Sequence, residues 1–425
     1  MKRVVIGVTS LLDNLSGIGV YTLTLVQALE RHFKDRDDVE LKLFVRYRLF
    51  DSLEDFQNRN IVNFSDVIPP RVESLSSPPS RSFFERFRSL TPRKFITYTK
   101  HRLLGILRFF YSPLVKILLP EKFYYFLQYR FLMDIAHKRA CKNFSWEVPD
   151  LYIEPGGACI PMEAKKLLGC IHDMPLCDEA TWCMTEEERS VWQHYHLQKI
   201  SHCDQAICFT ETVKKDILKT FGWSETKVHV IYHGMRAYRQ TSEDLPPNLG
   251  EFILVVGKAR RKNIRRLIQA FELLPTILQR RFKIVITGLY NSRIDRKEDA
   301  VISSKNFVVN LGYVSDSLLS TLYAHARLLW WGSLAEGFGL PMLEAMHAGC
   351  VVLSSDVSCM PEILGDAGIY CNPYNAQDIA KQLEKALMDE ALRTECIAKG
   401  FERVKRFDFE ESMRKHIEIV EKMLD

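Results

Sequence analysis

Short apolar runs recur along this chain, and they are followed by turns and then by residues with helical spacing. The clearest runs are RVVIGVT at 3–9, EFILVVG at 251–257 and FKIVITG at 282–288. Continuous apolar runs of this length are typical of strands that are buried on both faces of a parallel sheet. Because such strands alternate with helices, the sequence predicts an α/β fold. A length of 425 residues suggests two or three domains.

The alternation also indicates where the domains begin and end. A Pro-containing linker, SEDLPPNLG, separates a predicted first domain over residues 1–245 from a predicted second domain over 246–407. Residues 408–425 have the spacing of an amphipathic helix. The alternation fails at about 75–145, which we interpret as a helical insertion in the first domain.

The insertion has an unusual charge. Residues 81–142 contain 14 Lys and Arg but only three Asp and Glu, and aromatic residues are interleaved with them, whereas the whole chain has a net charge of +5. Its apolar part at 103–119 includes Arg108 and Lys116 and is interrupted by Pro113, so it does not fit a membrane span. Basic, aromatic helices of this kind are typical of segments that lie at an anionic membrane surface.

We therefore expect residues 81–142 to bind an anionic membrane surface. An ordinary helical insertion with a solvated basic face is the alternative. Nucleic acid is not an expected partner, because no nucleic-acid-binding module accompanies the charge.

The cysteines and histidines suggest a reducing compartment and no metal. Eleven cysteines are scattered without a Cys-x2-Cys pair, several of them in apolar runs, and no secretory leader follows Met1. We expect buried reduced thiols and a cytoplasmic location. His194 and His196 lie two residues apart on a predicted helix, so they cannot share a face, and no metal site is expected.

One turn carries the clearest chemical signal. A predicted strand ends at the sequence WGSLAEGFGLPMLEAMHAG, in which a helix follows the glycines. Gly337 and Gly339 lack Cβ atoms, so backbone N–H groups can approach a ligand closely. Pro341 suits the first helical turn, and the helix start then forms an anion site. Glu336 and Glu344 lie on either side of this site.

Two glutamates eight positions apart, with GFGLP between them, resemble the donor-sugar motif of the retaining GT-B glycosyltransferases of family four, the group 1 glycosyl transferases. The resemblance extends through most of residues 150–420. It implies two Rossmann-like domains that face a cleft, with the C-terminal helix 408–425 crossing back to the first domain. It also implies that Glu336 contacts the transferred sugar and that Glu344 binds the ribose hydroxyls of the nucleotide.

The resemblance assigns roles to further residues. In the family, an Arg and a Lys in the turn KARRKN neutralise the departing diphosphate; the best match is Arg261 with Lys262, and Lys258 and Arg260 are alternates. His172, at the end of KLLGCIHDM, is expected beside the transferred sugar. The helix start would assist with the diphosphate and the preceding amides with the sugar, and the residues concerned are Phe338, Gly339 and Leu340.

The remaining donor-site candidates are mostly glycines. The loop that contains Gly17 and Gly19 does not fit a dinucleotide-binding fingerprint, because its glycines lie too far past the strand and the third is missing. In the resembled family this loop lies near the donor phosphates. Gly257 ends the strand before the basic turn, and the turn with Gly312 and Tyr313 is expected to contact the base.

The segments RRKN, YHG and DVSCMPEILGDAG most resemble bacterial mannosyltransferases that build O-antigen. The resemblance implies transfer of a hexose, mannose from GDP-mannose, to a lipid-linked saccharide acceptor, with retained configuration and without a metal or other cofactor. The expected location is peripheral, on the inner face of the cytoplasmic membrane. Three alternatives stay open: a UDP-, ADP- or TDP-sugar donor, a GT-B sugar epimerase, and an inactive membrane-associated scaffold.

Overall fold

The computed structural model describes residues 1–11, 17–45, 48–60, 148–156, 163–174, 198–235, 243–288 and 302–425. The predicted insertion at about 75–145, with its basic segment 81–142, lies outside the described residues and stays a prediction. Among the helices that are described, none combines the length and the apolar character needed to cross a membrane.

The chain divides into two compact units. The first comprises Met1–Leu167 and Thr185–His202, and the second comprises Leu168–Met184 and Cys203–Asp425. The domain boundary predicted at 245 stays a prediction.

The first unit contains a mixed sheet. Its described strands and helices are β1 (Lys2–Gly7), β2 (Val39–Val45), β3 (Arg48–Phe50), β4 (Leu151–Glu154), α1 (Gly17–Phe33), α2 (Leu53–Asn60) and α3 (Gln198–Ser201). The strands neighbour one another in the order β3-β2-β1-β4, and β1 is parallel to both β2 and β4 while β3 is antiparallel to β2. Consecutive residues Val4, Val5 and Ile6 are all buried, as predicted for a strand covered on both faces.

The second unit begins with three parallel strands. These are β5 (Lys166–Ile171), which enters the unit at Leu168, β6 (Gln205–Cys208) and β7 (Val228–Val230), in that order. Helix α4 (Glu211–Phe221) follows β6, and Thr210 caps it by accepting a hydrogen bond from the Val213 N–H. Gly222 ends the helix in the left-handed region, with φ of 64°, as glycine commonly does at a helix C-terminus.

A six-stranded parallel sheet forms the rest of the second unit. Its strands lie in the order β10-β9-β8-β11-β12-β13. Their bounds are β8 (Glu251–Val256), β9 (Phe282–Thr287), β10 (Val308–Gly312), β11 (Leu328–Trp331), β12 (Val352–Ser355) and β13 (Ile369–Cys371). The order reverses between β8 and β11, and ligands of open α/β sheets bind at the carboxyl ends of strands at such a switch point. The turns after β8 and β11 are therefore the ones that can share a ligand.

Helices cover this sheet and enclose a large core. They are α5 (Ile264–Glu272), α6 (Thr276–Arg281), α7 (Asp316–His325), α8 (Leu340–His347), α9 (Met360–Leu364), α10 (Ala376–Met388) and α11 (Glu390–Val404). The core includes the fully buried Phe271 and Trp330.

The described free cysteines are buried, as predicted, and are Cys170, Cys203, Cys208, Cys350, Cys359, Cys371 and Cys396.

The last helix, α12 (Phe409–Leu424), packs near the turn that follows β7. Met235 donates its backbone N–H to Phe407 O, and Ser412 Oγ donates to Tyr232 O. A Cβ atom on Gly234 would lie 2.2 Å from the Phe409 Cα atom. Only glycine therefore allows the YHG turn to approach the start of α12 so closely.

Candidate active site

The loop between β11 and α8 includes residues 336–339, which we call the EGFG loop. Helix α8 begins at Leu340 as predicted, with Pro341 in its first turn. Gly339 has a φ of 95°, in the left-handed region that favours glycine. The first N–H groups of a helix have no acceptor inside it, so the end of this loop is suited to binding an anion.

The EGFG loop lies against the turn that follows β5. A Cβ atom built on Gly337 would lie 1.7 Å from His172 O, so no side chain fits at this position. The carbonyl of Gly337 also accepts a hydrogen bond of 3.1 Å from Thr210 Oγ1. The structure thus brings together two residues that the sequence predicted for the site, Gly337 and His172.

Glu336 is bound by both cations that were predicted to hold the diphosphate. Lys262 Nζ lies 2.7 Å from Glu336 Oε1, and Arg261 donates to the two carboxylate oxygens through Nε at 3.4 Å and Nη2 at 3.3 Å. The Glu336 side chain is 7% exposed, whereas that of Arg261 is 40% exposed. The turn after β8 and the turn after β11 therefore meet, as the sheet topology requires.

The pKa values show that Glu336 and Lys262 are both charged near neutral pH. Burial works to raise the pKa of Glu336, but Arg261 and Lys262 bring it down to about 2. Burial lowers the pKa of Lys262 to about 8, because the favourable charge of Glu336 offsets only part of the lost hydration. Two positive charges and one negative charge leave the cluster with a net charge of +1, which suits an anionic ligand.

Two tryptophans fix Lys262 in place. Trp330 Nε1 donates a hydrogen bond of 3.2 Å to Lys262 O. The ammonium of Lys262 lies 3.4 Å from the ring centroid of Trp331, within the range of a cation–π interaction. Lys262 is therefore held between an aromatic face and the Glu336 carboxylate.

The alternate cations occupy the same basic turn. Gly257 has a φ of 87° and is followed by Lys258, which is buried and donates to Asn310 Oδ1. The same oxygen accepts the Gly312 N–H at 3.1 Å. Lys258 thus contacts the end of β10, on the side of the predicted base-binding turn. Arg260 begins the short 3-10 helix that carries the predicted diphosphate-binding residues.

Glu344 lies in the first turns of α8, and its Oε2 accepts a hydrogen bond of 2.8 Å from the hydroxyl of Tyr323. Burial raises the pKa of Glu344, and the hydrogen bond from Tyr323 partly counters this. Gly312 has a φ of 68°, and Tyr313, at the start of the next turn, is 52% exposed. Their predicted contacts with ribose and base stay predictions.

His172 belongs to an aromatic stack. Its ring centroid lies 4.7 Å from that of Phe209, which in turn stacks on His233 at 3.8 Å. The His233 ring meets Phe338 edge to face at 4.9 Å. Burial lowers the pKa of His233 well below its ordinary value, and the neighbouring histidines add to this effect. The stack connects His172, a predicted site residue, to the EGFG loop through His233. From the sequence, His233 was noted only as part of a turn.

Two further residues that sequence reasoning missed hold the backbone of Glu336. Ser358 Oγ accepts the Glu336 N–H at 3.2 Å and donates to Glu336 O at 3.0 Å. Cys359 Sγ lies 3.1 Å from the same carbonyl oxygen. The segment DVSCMPEI signals a turn, but nothing in its pattern shows that this turn folds onto Glu336.

Gly17 and Gly19 open helix α1 in the first unit. A Cβ atom on Gly17 would meet nothing within 4 Å. Their predicted place near the donor phosphates stays a prediction. Among the described residues, no group of three or more His, Cys, Asp or Glu is arranged to hold a metal ion.

The fold and this loop define a recognised class of protein. The structure resembles that of sucrose-phosphate synthase from Thermosynechococcus elongatus, with a TM-score of 0.62 and 14% identity over 100% of this chain and 99% of the other. At that identity the likeness shows the fold, which is GT-B with α/β domains, as predicted. Residues 240–403 match the model of the family Glycosyl transferases group 1.

The chain is also similar to curated proteins. It is 38% identical over 162 residues to O-antigen chain mannosyltransferase B of Escherichia coli, a match that covers 37% of this chain and 42% of the relative. It is 37% identical over 164 residues to the serotype-specific mannosyltransferase WbdA of Escherichia coli, covering 37% of this chain and 20% of that protein. The chain thus spans less than half the length of these relatives. The predicted resemblance to O-antigen mannosyltransferases is confirmed.

Proposed function

We propose that this protein is a retaining mannosyltransferase that moves mannose from GDP-mannose to a saccharide acceptor in O-antigen synthesis. The family match, the GT-B fold and the named relatives support glycosyl transfer. The names of the two Escherichia coli relatives support mannose and O-antigen.

One observation carries the proposal more than any other. A buried carboxylate, Glu336, is paired with Lys262 at 2.7 Å and with Arg261 at 3.3 Å, at the switch point between β8 and β11. The EGFG loop and the start of α8 continue directly from this carboxylate. A sugar that carries a diphosphate needs this combination of an acid for its hydroxyl groups and cations for its phosphates.

The chemistry that these residues favour is displacement at the anomeric carbon. The bond between C1 of the sugar and the diphosphate oxygen breaks, and the diphosphate leaves with the electron pair. Retention requires the new bond between C1 and the acceptor oxygen to form on the face from which the diphosphate departs. The acceptor proton passes to the departing diphosphate oxygen. Positive charge builds on the sugar ring and negative charge on the diphosphate, so fixed charges at both ends lower the barrier.

Each residue has a part in this scheme. Arg261 and Lys262 stabilise the departing diphosphate, assisted by the amides at the start of α8. Glu336 binds the hydroxyls of the transferred sugar, and Glu344 binds the ribose. We propose that no metal or other cofactor is required, because the two cations supply the charge that the leaving group needs.

The acceptor and the membrane are further parts of the proposal. A lipid-linked saccharide would place the enzyme at the inner face of the cytoplasmic membrane, and the basic segment 81–142 would bind its anionic lipids. Liposome flotation with anionic and with neutral vesicles tests this part. Equal and negligible binding to both would remove the membrane from the proposal and leave the sugar transfer in place.

A donor panel tests the reaction itself. GDP, UDP, ADP and TDP are compared by thermal shift, because a ligand that binds only the folded protein raises its melting temperature. The nucleotide with the largest effect then identifies the sugar donor for a nucleotide-release assay with and without a saccharide acceptor. GDP is expected to give the largest shift.

The same panel separates the alternatives. A larger shift with UDP, ADP or TDP would replace GDP-mannose by another sugar donor. Conversion of the donor sugar without an acceptor would indicate an epimerase. Nucleotide binding with no turnover of any donor would favour a scaffold.

A further inference from the structure

Glu362, on helix α9, binds the first turn of helix α4. Its Oε1 accepts the backbone N–H of Glu211 at 2.6 Å, and its Oε2 accepts the N–H of Thr212 at 3.0 Å and the Thr212 hydroxyl at 2.7 Å. Oε1 also accepts the hydroxyl of Tyr232 at 2.9 Å. One carboxylate thus joins α9 to the start of α4, 150 residues away in sequence, and to the YHG turn, 130 residues away.

The other end of this connection reaches the EGFG loop. Ser358 and Cys359 directly precede α9 and bind the backbone N–H and C=O of Glu336. Ser358 has a φ of 57°, a left-handed conformation that a residue with a side chain rarely adopts. Such backbone persists where surrounding contacts fix it, which is common at functional sites. The position of α9 therefore sets the position of the Glu336 backbone.

A second link runs from α4 to the loop directly. The buried hydroxyl of Thr210 accepts the Val213 N–H at 3.1 Å and donates to Gly337 O at 3.1 Å. The residue that caps α4 thus also holds the loop at the position where Gly337 touches His172. Helix α4, α9 and the EGFG loop form a closed ring of contacts within the second unit.

The other face of α9 is also fixed. Arg403, on α11, donates from Nε to Ile363 O at 2.9 Å and from Nη2 to Glu362 O. Helix α11 fixes one side of α9, and Glu362 joins α9 to α4. A shift of α4 would therefore also shift the EGFG loop.

We propose that Glu362 is a positioning residue for the sugar-transfer site. By fastening the first turn of α4 to α9, it holds Glu336 in the geometry that pairs it with Lys262 and Arg261. Thr210 completes the arrangement from the opposite side. This inference rests on the proposed function for its kinetic consequences, but the coupling between Glu362 and the EGFG loop does not depend on which donor the enzyme uses.

The test compares Glu362→Gln with the wild-type chain by hydrogen exchange and by kinetics. Glutamine keeps the shape of the side chain, but its NH2 group cannot accept the hydrogen bonds that one carboxylate oxygen accepts. The matched control is Glu384→Gln, which removes the charge of an exposed glutamate on α10. Thr210→Val removes the hydroxyl, and Thr210→Ser retains it.

Exchange is followed in peptides that cover 334–342 and 211–216, with no ligand added. We expect Glu362→Gln and Thr210→Val to exchange about tenfold faster in both peptides, since local protection depends on local opening free energy. Glu384→Gln and Thr210→Ser should resemble the wild type. Faster exchange confined to 211–216 would show that Glu362 only caps α4, and it would overturn the inference.

Kinetics with GDP-mannose give the second readout. Glu362→Gln should lower kcat about tenfold while KM and the affinity for GDP change by less than about threefold, because the transition-state contacts of Glu336 are disturbed and the nucleotide contacts are not. An unchanged kcat with a lowered melting temperature would indicate a purely structural residue. If the wild type turns over no donor but loop protection still falls in the variant, the positioning role stands and the proposed function fails.

Discussion

Lys262 and Glu336 form an ion pair of 2.7 Å that is almost completely removed from water, with side chains that are 11% and 7% exposed. Burial of such a pair stabilises a protein little, because lost hydration offsets most of the attraction between the charges. Its location next to a glycine-rich loop and a helix start therefore points to function. The pair keeps a cation and a carboxylate ready at a place where a ligand would use both.

Glu336→Gln tests the role of the carboxylate. We expect kcat to fall by roughly 100-fold, equivalent to about 2.7 kcal/mol of transition-state stabilisation. The affinity for GDP should stay unchanged or increase, because Arg261 and Lys262 are no longer neutralised by Glu336. Steady-state kinetics with GDP-mannose and calorimetric titration with GDP measure the two effects.

The exposed Glu384 provides the control for that experiment, since Glu384→Gln removes a charge of the same sign from α10. A loss of GDP affinity that matches the loss of kcat in Glu336→Gln would contradict the assignment of Glu336 to the sugar.

The lowered pKa of Lys262 predicts how kcat/KM and stability depend on pH. Its pKa is lowered to about 8 from 10.5, so the cation is lost as the pH rises through about 8, and kcat/KM should fall over the same range. The contribution of Lys262 to stability changes with pH in the opposite direction to kcat/KM. Between about 8 and 10.5 the unfolded chain binds the proton more tightly than the folded chain, so the contribution of Lys262 to the free energy of unfolding increases with pH.

Lys262→Arg separates this ionisation from other causes. Arginine keeps its charge across the range, so the alkaline decrease in kcat/KM should disappear or move to higher pH. The measurement is a pH–rate profile from about pH 6 to 10 for both proteins. An identical alkaline limb in the variant would exclude Lys262 as its source.

Much of the site could be predicted because it depends on local patterns. Apolar runs gave the strands, and Gly339 with Pro341 gave the start of α8 at Leu340. Strands in parallel order then bring their carboxyl ends together, which explains why Arg261 and Glu336 meet.

The framework around the site could not be predicted, because it depends on contacts between distant segments. Glu362 and Thr212 are 150 residues apart, and neither has a pattern that identifies its partner. The pairing of both diphosphate-binding candidates with Glu336 was also not foreseen. In sequence a cation beside a turn looks available for phosphate, whereas in the structure Lys262 already has a carboxylate partner.

The proposed contact between Glu344 and the ribose can be tested by comparing the binding of GDP with that of its deoxy forms. Replacing Glu344 by Ala should weaken GDP binding by roughly 10- to 100-fold, the range for loss of a hydrogen bond to a charged group of about 1.5–3 kcal/mol. Removing a ribose hydroxyl from the ligand should have a similar effect on the wild type. In Glu344→Ala, GDP and its 2′- or 3′-deoxy forms should bind about equally.

Tyr323→Phe is the intermediate case for the same site, because it removes the hydroxyl that donates to Glu344 at 2.8 Å. Its effect on GDP affinity should be smaller than that of Glu344→Ala. A Glu344→Ala protein that still distinguishes GDP from both deoxy forms as strongly as the wild type would show that another residue binds the ribose.

Gly337→Ala tests whether the contact between the EGFG loop and His172 matters for catalysis. The added Cβ atom would lie 1.7 Å from His172 O and 2.7 Å from its carbonyl carbon, so the loop or the His172 turn must move. Catalytic groups displaced by about 1 Å commonly lose on the order of 100-fold in rate. We therefore expect a large loss of kcat, with GDP affinity retained because Glu344 lies on helix α8, beyond the loop. Wild-type kcat in a folded Gly337→Ala protein would show that the site tolerates this displacement and that the loop is not held against His172 during the reaction.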